Sequence, residues 1–452
     1  LGRAVNTDIV ASIEQGPMRP VQVLAVTICV VINMIDGFDV LVMAFTAPSI
    51  AAEWSLEPQS VGLLLSAGLF GMAAGSLFLA PVADRIGRRN TILLCLAIIS
   101  AGMLASAFTW SVPSLASARV VTGIGIGGML ASITTITAEY ASHRRRGFAI
   151  SMVQSGYPVG ATIGGSIAAL LIVAYGWRSV YVFGAACTIA MIPLVLRYLP
   201  ESLEYLIERK PRNALEKVND LLARLGQAPV AQLPRPRRAG AASRGSVLDL
   251  VSSPLRTPTT LLWCAFFMVM LSFYFVLSWT PTLLTEAGLR AEQGISGGVL
   301  MNIGGIGGGV TLGYLTARFS AHRLTALHML LCAVFMVLFG LLDGNLGVML
   351  VLGFVIGYFI FGSIIGVYSI APDIYPTAIR NTGVGWAIGI GRFGGILGPA
   401  AAGLLLAQGW TGAQCFFAFS VPLLIAMIAV TILHHGSKPR ASNHGGRNPD
   451  NR

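Results

Sequence analysis

Two aspartates, Asp36 and Asp39, sit inside the apolar run VQVLAVTICVVINMIDGFDVLVMAFTAPSI, Val21 to Ile50. A carboxylate near the centre of a bilayer costs about 2.5–3.5 kcal/mol on insertion scales. Such a group is tolerated where it faces a wet cavity, pairs with a cation or carries a proton. Their spacing of three places both on one helix face, and Gly37 between them admits a close neighbour. Low dielectric disfavours the charged form of a carboxylate, and a second carboxylate nearby disfavours double ionisation. One member of such a pair can therefore exchange a proton near neutral pH. Two arginines also lie in apolar runs, Arg119 and, deeper in its run, Arg392. Arginine's planar fork suits a carboxylate. The alternative for Arg392 is an internal ion pair with Asp36 or Asp39. Arg119 has the alternatives of pairing across helices or snorkelling to the outer surface.

These residues must be positioned by membrane-spanning elements. The 452 residues are 55% hydrophobic and only 11% charged, against about 25% charged in soluble domains. Apolar stretches of spanning length recur at 21–48, 59–82, 91–110, 114–139, 147–173, 179–199, 258–286, 295–317, 324–342, 346–372, 381–406 and 413–434. They predict an all-α integral membrane protein of about twelve transmembrane helices, since barrel strands would read as short alternating segments. Asp8 and Glu14 ahead of the first span argue against a cleaved signal peptide. A chain opening on Leu1 suggests an alternative start or a missing initiator Met.

The net charge of +11 is uneven. Arg85, Arg88 and Arg89 follow span 2, Arg144 to Arg146 follow span 4, and a long basic segment follows span 6. Arg318 and Arg323 follow span 8, Arg380 follows span 10, and Lys438 and Arg440 follow span 12. The other loops carry mainly Arg178 and Arg290. This bias puts the even-numbered loops and both termini in the cytoplasm. Basic residues divided among short loops, with no accompanying motif, argue against nucleic acid. The six cysteines lie in apolar runs without metal-ligand spacing, so no cofactor or metal is expected. No nucleophile–base set suggests an enzyme.

Residues 201–257 break the apolar pattern and divide the chain. The expected units are an N-terminal six-helix half (1–200), a cytoplasmic linker (201–257) with surface helices around 202–224, a C-terminal half (258–435) and a cytoplasmic tail (436–452). The halves repeat. Glu139 and Arg146 recur as Asp373 and Arg380, and Gly160 and Gly164 recur as Gly394 and Gly398. Six-span repeats with a site between them are one architecture of secondary transporters.

APVADRIGRR (Ala80–Arg89) resembles the loop signature of the major facilitator superfamily, with Ala80 for its leading Gly and Val82 for its Leu. Leu199-Pro200-Glu201-Ser202 resembles the Pro-Glu-Ser motif after span 6. In the second half Ala317 and Ser320 stand where the signature has Asp and Gly. Within the superfamily, Asp36-Gly37-Phe38-Asp39, PDIYPTAIRNTGVGW (Pro372–Trp386) and GRFGGILGP (Gly391–Pro399) are similar to the aromatic acid:proton symporters. That resemblance implies proton coupling at Asp36 and Asp39, and a substrate carboxylate at Arg392, with Arg119 second in line. It implies a ring surface drawn from Phe273, Tyr274 and Trp279 of span 7, Tyr358, Phe359 and Tyr368 of span 10, and Trp386 of span 11. Asn33, Gln154, Tyr157 and Asn302 are polar candidates for ring substituents. Asp84, Arg85, Arg88, Arg89, Glu139, Arg146, Asp373 and Arg380 would latch the halves when the cytoplasmic side is shut, Asp84 against the start of span 11.

The resulting expectation is a monomeric inner-membrane symporter importing a small aromatic carboxylate, of benzoate or hydroxybenzoate type, with protons. The alternative is a proton-coupled antiporter exporting amphipathic compounds. GYPVGATIGG (Gly156–Gly165) is near the drug-antiporter pattern, but Ala161 replaces its proline.

Overall fold

The computed structural model describes residues 18–142, 145–227, 229–233, 250–286, 288–316, 318–342, 346–376 and 379–436. The termini, Arg144, Ala317 and residues 234–249 of the linker lie outside them. Among the described residues the chain is helical, with no strand. Twelve helices are long and apolar enough to span a membrane. The first six are α1 (Pro20–Trp54), α2 (Pro58–Ile86), α3 (Arg88–Ala107), α4 (Val112–Tyr140), α5 (Arg146–Tyr175) and α6 (Arg178–Tyr198). Two short helices follow, α7 (Leu203–Arg209) and α8 (Ala214–Arg224). The remaining six are α9 (Arg256–Glu286), α10 (Ala291–Thr316), α11 (Ala321–Leu341), α12 (Leu346–Ile374), α13 (Arg380–Ala407) and α14 (Gly412–Gly436).

Local chemistry sets several boundaries. Pro20 opens α1, and the Gln22 carboxamide accepts the Arg19 N–H at 2.8 Å while donating to the Tyr140 carbonyl at 2.8 Å. The start of α1 is thereby pinned to the end of α4. Ser111 caps α4. Pro81 lacks an N–H, and α2 passes through a π turn (Gly75–Leu79) and a 3-10 turn (Ala80–Val82) before its last turn. The turn into α3 is Gly87 at φ +99°, a backbone conformation that a side chain would strain.

The helices form two six-helix halves, α1–α6 and α9–α14. In the first, α5 packs on α1 and α4 on α2 and α3; in the second, α13 packs on α9 and α12 on α10 and α11. The repeat is visible in backbone contacts. A Cβ on Gly160 or Gly164 would overlap Met34 or Phe38 of α1, and one on Gly394 or Gly398 would overlap Phe267 or Leu271 of α9. Exposed apolar side chains such as Leu77, Phe78, Leu170, Val173, Val310 and Val351 form the outer belt, as a lipid-facing surface requires.

The halves meet through α2–α13, α5–α10 and α1–α9. The contacts that identify this seam lie toward the end away from the basic loops. Gly62 meets Pro399 and Gly403, Ser66 donates to the Ile396 carbonyl at 2.8 Å, and Phe45 touches Gly165 and Gly298. Arg392, reaching the Met72 carbonyl at 3.5 Å, is deeper. Toward the basic face the side chains of Gln154, Tyr368 and Trp386 are exposed.

Candidate functional site

Asp36 and Asp39 are buried, at 3% and 0% exposure, but they face different neighbours. Close packing of α5 on α1 brings the Tyr157 backbone against Gly37. Asp36 lies within electrostatic reach of Asp39, Tyr157 and Cys95 of α3. Asp39 points into the first half, toward Gly184 of α6. Among the described residues neither Asp39 carboxylate oxygen has a hydrogen-bond partner. Thr188 is adjacent, but its hydroxyl donates to the Gly184 carbonyl at 2.9 Å.

Arg119 is 1% exposed and belongs to the interior of the first half. Its guanidinium donates to the Asp39 backbone carbonyl at 2.6 Å and to the Met103 sulfur at 3.2 Å, with the Tyr181 ring 5.8 Å away. Nε has no partner. The adjoining cavity, between Val40, Gly68, Met72 and Gly123, has room for about one water. Of the alternatives open for Arg119, pairing across helices is the one observed, and its partner is main chain, not a carboxylate.

Arg392 is half-buried on α13, between the halves. Its 3.5 Å bond to Met72 is long, and among the described residues no ion pair joins it to Asp36 or Asp39. Its charge acts on Tyr274 of α9 and Tyr368 of α12. Tyr274 lies over Gly395, one turn along α13. Tyr368 meets Phe266 edge-on at 5.2 Å, and Phe273 meets Tyr274 at 5.2 Å. A cation thus lies within electrostatic reach of two phenols that belong to an aromatic cluster, which suits a ring bearing an anionic group.

Other candidates fall elsewhere. Trp279 is fully buried and donates to the Pro399 carbonyl at 2.9 Å. Tyr358 shares a hydrogen bond with Thr311 and stacks near His328, while Phe359 stacks on Phe335. These three are packing groups in this conformation because their polar atoms or faces are occupied within the second half. Trp386, beside Trp263 at 6.3 Å, is six residues from Arg392, about 9 Å along the helix toward the basic face. Asn33 ties α1 to the Val153 carbonyl at 2.6 Å. Asn302 donates to Gly298 at 2.8 Å and leaves Oδ1 buried without a partner. Gln154 is exposed.

At the basic face Asp84 bonds to Arg88 at 3.1 Å, one turn along the chain, instead of meeting the start of α13. Arg85 is exposed, and its carbonyl accepts from Tyr205 at 3.2 Å. Arg89 caps the end of α6 through the Val195 and Leu196 carbonyls. Asp373 is exposed, Arg380 donates to the Tyr375 carbonyl at 3.4 Å, and half-buried Arg146 opens α5. Glu139 accepts from the Ser202 hydroxyl at 2.7 Å.

That last contact reveals residues not singled out by their chemistry. The Glu201 carboxylate accepts the Arg89 N–H at 3.0 Å and the Ser202 N–H at 2.8 Å, and the Glu201 carbonyl accepts from Tyr140 at 2.7 Å. Ser202 also caps α7. The Pro-Glu-Ser segment therefore ties the ends of α3, α4 and α6 together. Its motif resemblance was the available signal, but the partners are distant in sequence.

Two repeated six-helix halves that meet toward the end away from the basic loops are the architecture of one class of secondary transporters. The Major Facilitator Superfamily profile matches residues 28–367 and 308–451, and the chain belongs to that superfamily. It is 32% identical over 430 residues to the 4-hydroxybenzoate transporter PcaK of Pseudomonas putida, covering 94% of this chain and 96% of that protein. It is 33% identical over 439 residues to the gallate transporter of Pseudomonas putida, covering 95% of each. The solved structure of the xylose transporter XylE from E. coli, in a partially occluded inward open conformation, superposes with a TM-score of 0.69 at 16% identity, covering 93% of this chain and 98% of that one. That likeness shows the fold.

Proposed function

We propose that this chain imports small aromatic carboxylates together with protons by alternating access. The observation that carries this is Arg392, a half-buried cation between the halves with Tyr274 and Tyr368 around it. The names of the relatives support the substrate class: 4-hydroxybenzoate and gallate are both aromatic carboxylates. In this proposal the guanidinium takes the carboxylate, and the aromatic wall with Tyr274 and Tyr368 takes the ring.

Asp36 and Asp39 together carry the proton in this scheme, Asp36 being the residue nearer the substrate site. An ionised carboxylate with no donor on either oxygen is costly in a dry bundle, and protonation removes that cost. The excess of basic residues in these loops supports a cytoplasmic side for their face and for both termini, in a bacterial-type inner membrane, with a monomer sufficient for transport. The conformation then represents a state closed toward the outside. Asp84, Arg85, Arg88, Glu139, Arg146, Asp373 and Arg380 would close the cytoplasmic side in the opposite state. There Asp84 would exchange Arg88 for the positive end of the α13 dipole.

The test uses the purified protein in proteoliposomes with labelled 4-hydroxybenzoate. An inwardly directed proton gradient should drive accumulation, and collapsing it should stop it. Accumulation that rises on collapse would indicate an exporter. No thermal stabilisation by any member of a panel of aromatic acids would refute the substrate class.

A further inference from the structure

We propose that Tyr157 couples the substrate site to Asp36, its hydroxyl switching between the aspartate and a bound substrate. This rests on the proton-coupled reading above. The Tyr157 hydroxyl is buried and has no hydrogen-bond partner among the described residues. Leaving a buried donor unsatisfied costs about 1–3 kcal/mol. The position is nevertheless tightly held, because the Tyr157 backbone lies against Gly37, next to Asp36 in the chain. Gly156 and Gly160 on the same helix abut Val30 and Met34, so α5 cannot slide along α1 without collision.

Tyr157 lies within electrostatic reach of two groups, Tyr274 and Asp36. Tyr274 in turn lies within reach of Arg392. Arg392, Tyr274, Tyr157 and Asp36 therefore form a line of polar groups from the second half to the first. The other groups facing Asp36 are Asp39 on its own helix and Cys95 on α3. Behind Asp39 lie Arg119 on α4 and Cys187 on α6.

A phenol has one proton to donate. Donated to Asp36, it stabilises the ionised carboxylate. A carboxylate substrate held at Arg392 offers a competing acceptor, in its own oxygens or a ring hydroxyl. When the phenol turns to it, Asp36 loses its donor and takes a proton from water at the open basic face. The phenol O–H bond is not broken; it changes acceptor. One anion and one proton enter together, so the charge of the site is unchanged. Linkage is reciprocal, so a protonated Asp36 leaves the phenol free for substrate.

Calorimetric titration with 4-hydroxybenzoate, in buffers of different ionisation enthalpy, counts protons taken up per ligand bound. Wild type should take up about one, and its affinity should rise as pH falls between ~8 and ~6, by up to about tenfold per unit. Tyr157→Phe keeps the ring and removes the hydroxyl. It should bind with proton uptake near zero and an affinity nearly independent of pH. Wild-type proton uptake in this variant overturns the proposal, as does loss of binding with an unchanged melting temperature. Absence of proton uptake in the wild type instead refutes the proton-coupled reading. If Tyr157→Phe does not fold, Tyr157→Leu removes the same hydroxyl and is held to the same criteria.

Discussion

Replacing Arg392 with alanine removes the cation that acts on Tyr274 and Tyr368. Its one hydrogen bond among the described residues, 3.5 Å to the Met72 carbonyl, is too long to be strong, so most of the five N–H donors remain for a ligand. Truncating one partner of a desolvated, hydrogen-bonded charge pair costs about 2–5 kcal/mol. Arg392 is half-buried, and partial solvent screening places it at the low end. A loss of about 2 kcal/mol is roughly a thirtyfold weaker Kd. The bond to Met72 crosses between the halves, but it is too weak for its loss to unfold the protein. Arg392→Lys keeps the charge but not the bidentate fork and should also be impaired. The assay is direct binding of an aromatic acid and its uncharged amide to each purified variant. Wild type should prefer the acid strongly, and Arg392→Ala should lose most of that preference. An acid-to-amide ratio unchanged by Arg392→Ala would refute the assignment. Arg119 would then be the next candidate, although its buried contacts with Asp39 and Met103 leave it little access to the cleft.

Asp39→Asn should abolish gradient-driven accumulation in proteoliposomes while substrate exchange across the membrane persists; undiminished accumulation would remove Asp39 from the proton path. Asp84→Asn should slow transport with little change in Kd, and leave thermal stability almost unaltered. The Asp84–Arg88 pair is an i,i+4 contact whose carboxylate is exposed and whose arginine is half-buried, and i,i+4 helix pairs are worth about 0.3–0.5 kcal/mol. An affinity falling as steeply as the rate would contradict a gating role.

Twelve spans are readable in the sequence because a bilayer imposes length and apolarity on each helix separately. The duplication is readable for a related reason. Gly160 and Gly164 must let α5 touch α1, and Gly394 and Gly398 must let α13 touch α9, so sterics preserve the same small residues at matching intervals. The buried acids are also legible, since a charge in an apolar run needs a reason. What spacing does not reveal is direction. Asp36 and Asp39 share a broad helix face, yet Asp39 turns toward α6 and Asp36 toward α3 and α5. Trp279 and Tyr358 look as available as Tyr274 until Pro399 and Thr311 are found beside them. Arg119 and Arg392 are the same residue type in similar runs. Only the tertiary structure seals the first inside one half and leaves the second between both.

The scaffold is symmetric and the chemistry is not. The α1–α5 and α9–α13 packings repeat, but the buried carboxylates belong to the first half and the cleft arginine to the second. Each half alone carries one part of a coupled event. The first has groups suited to holding a proton, and the second has a cation suited to holding an anion. If the halves rock about the seam at Ser66 and Gly62, groups near that seam, including Arg392 and Met72, move least. Proton and substrate must then communicate across the cleft and not along one helix. Of the side chains bridging that gap, Tyr157 is the one whose backbone is fixed to the Asp36–Gly37 step and whose hydroxyl lacks a partner in its own half. In the proposed scheme symmetry provides the hinge, and the departures from symmetry at Asp36, Asp39, Tyr157 and Arg392 would provide the coupling.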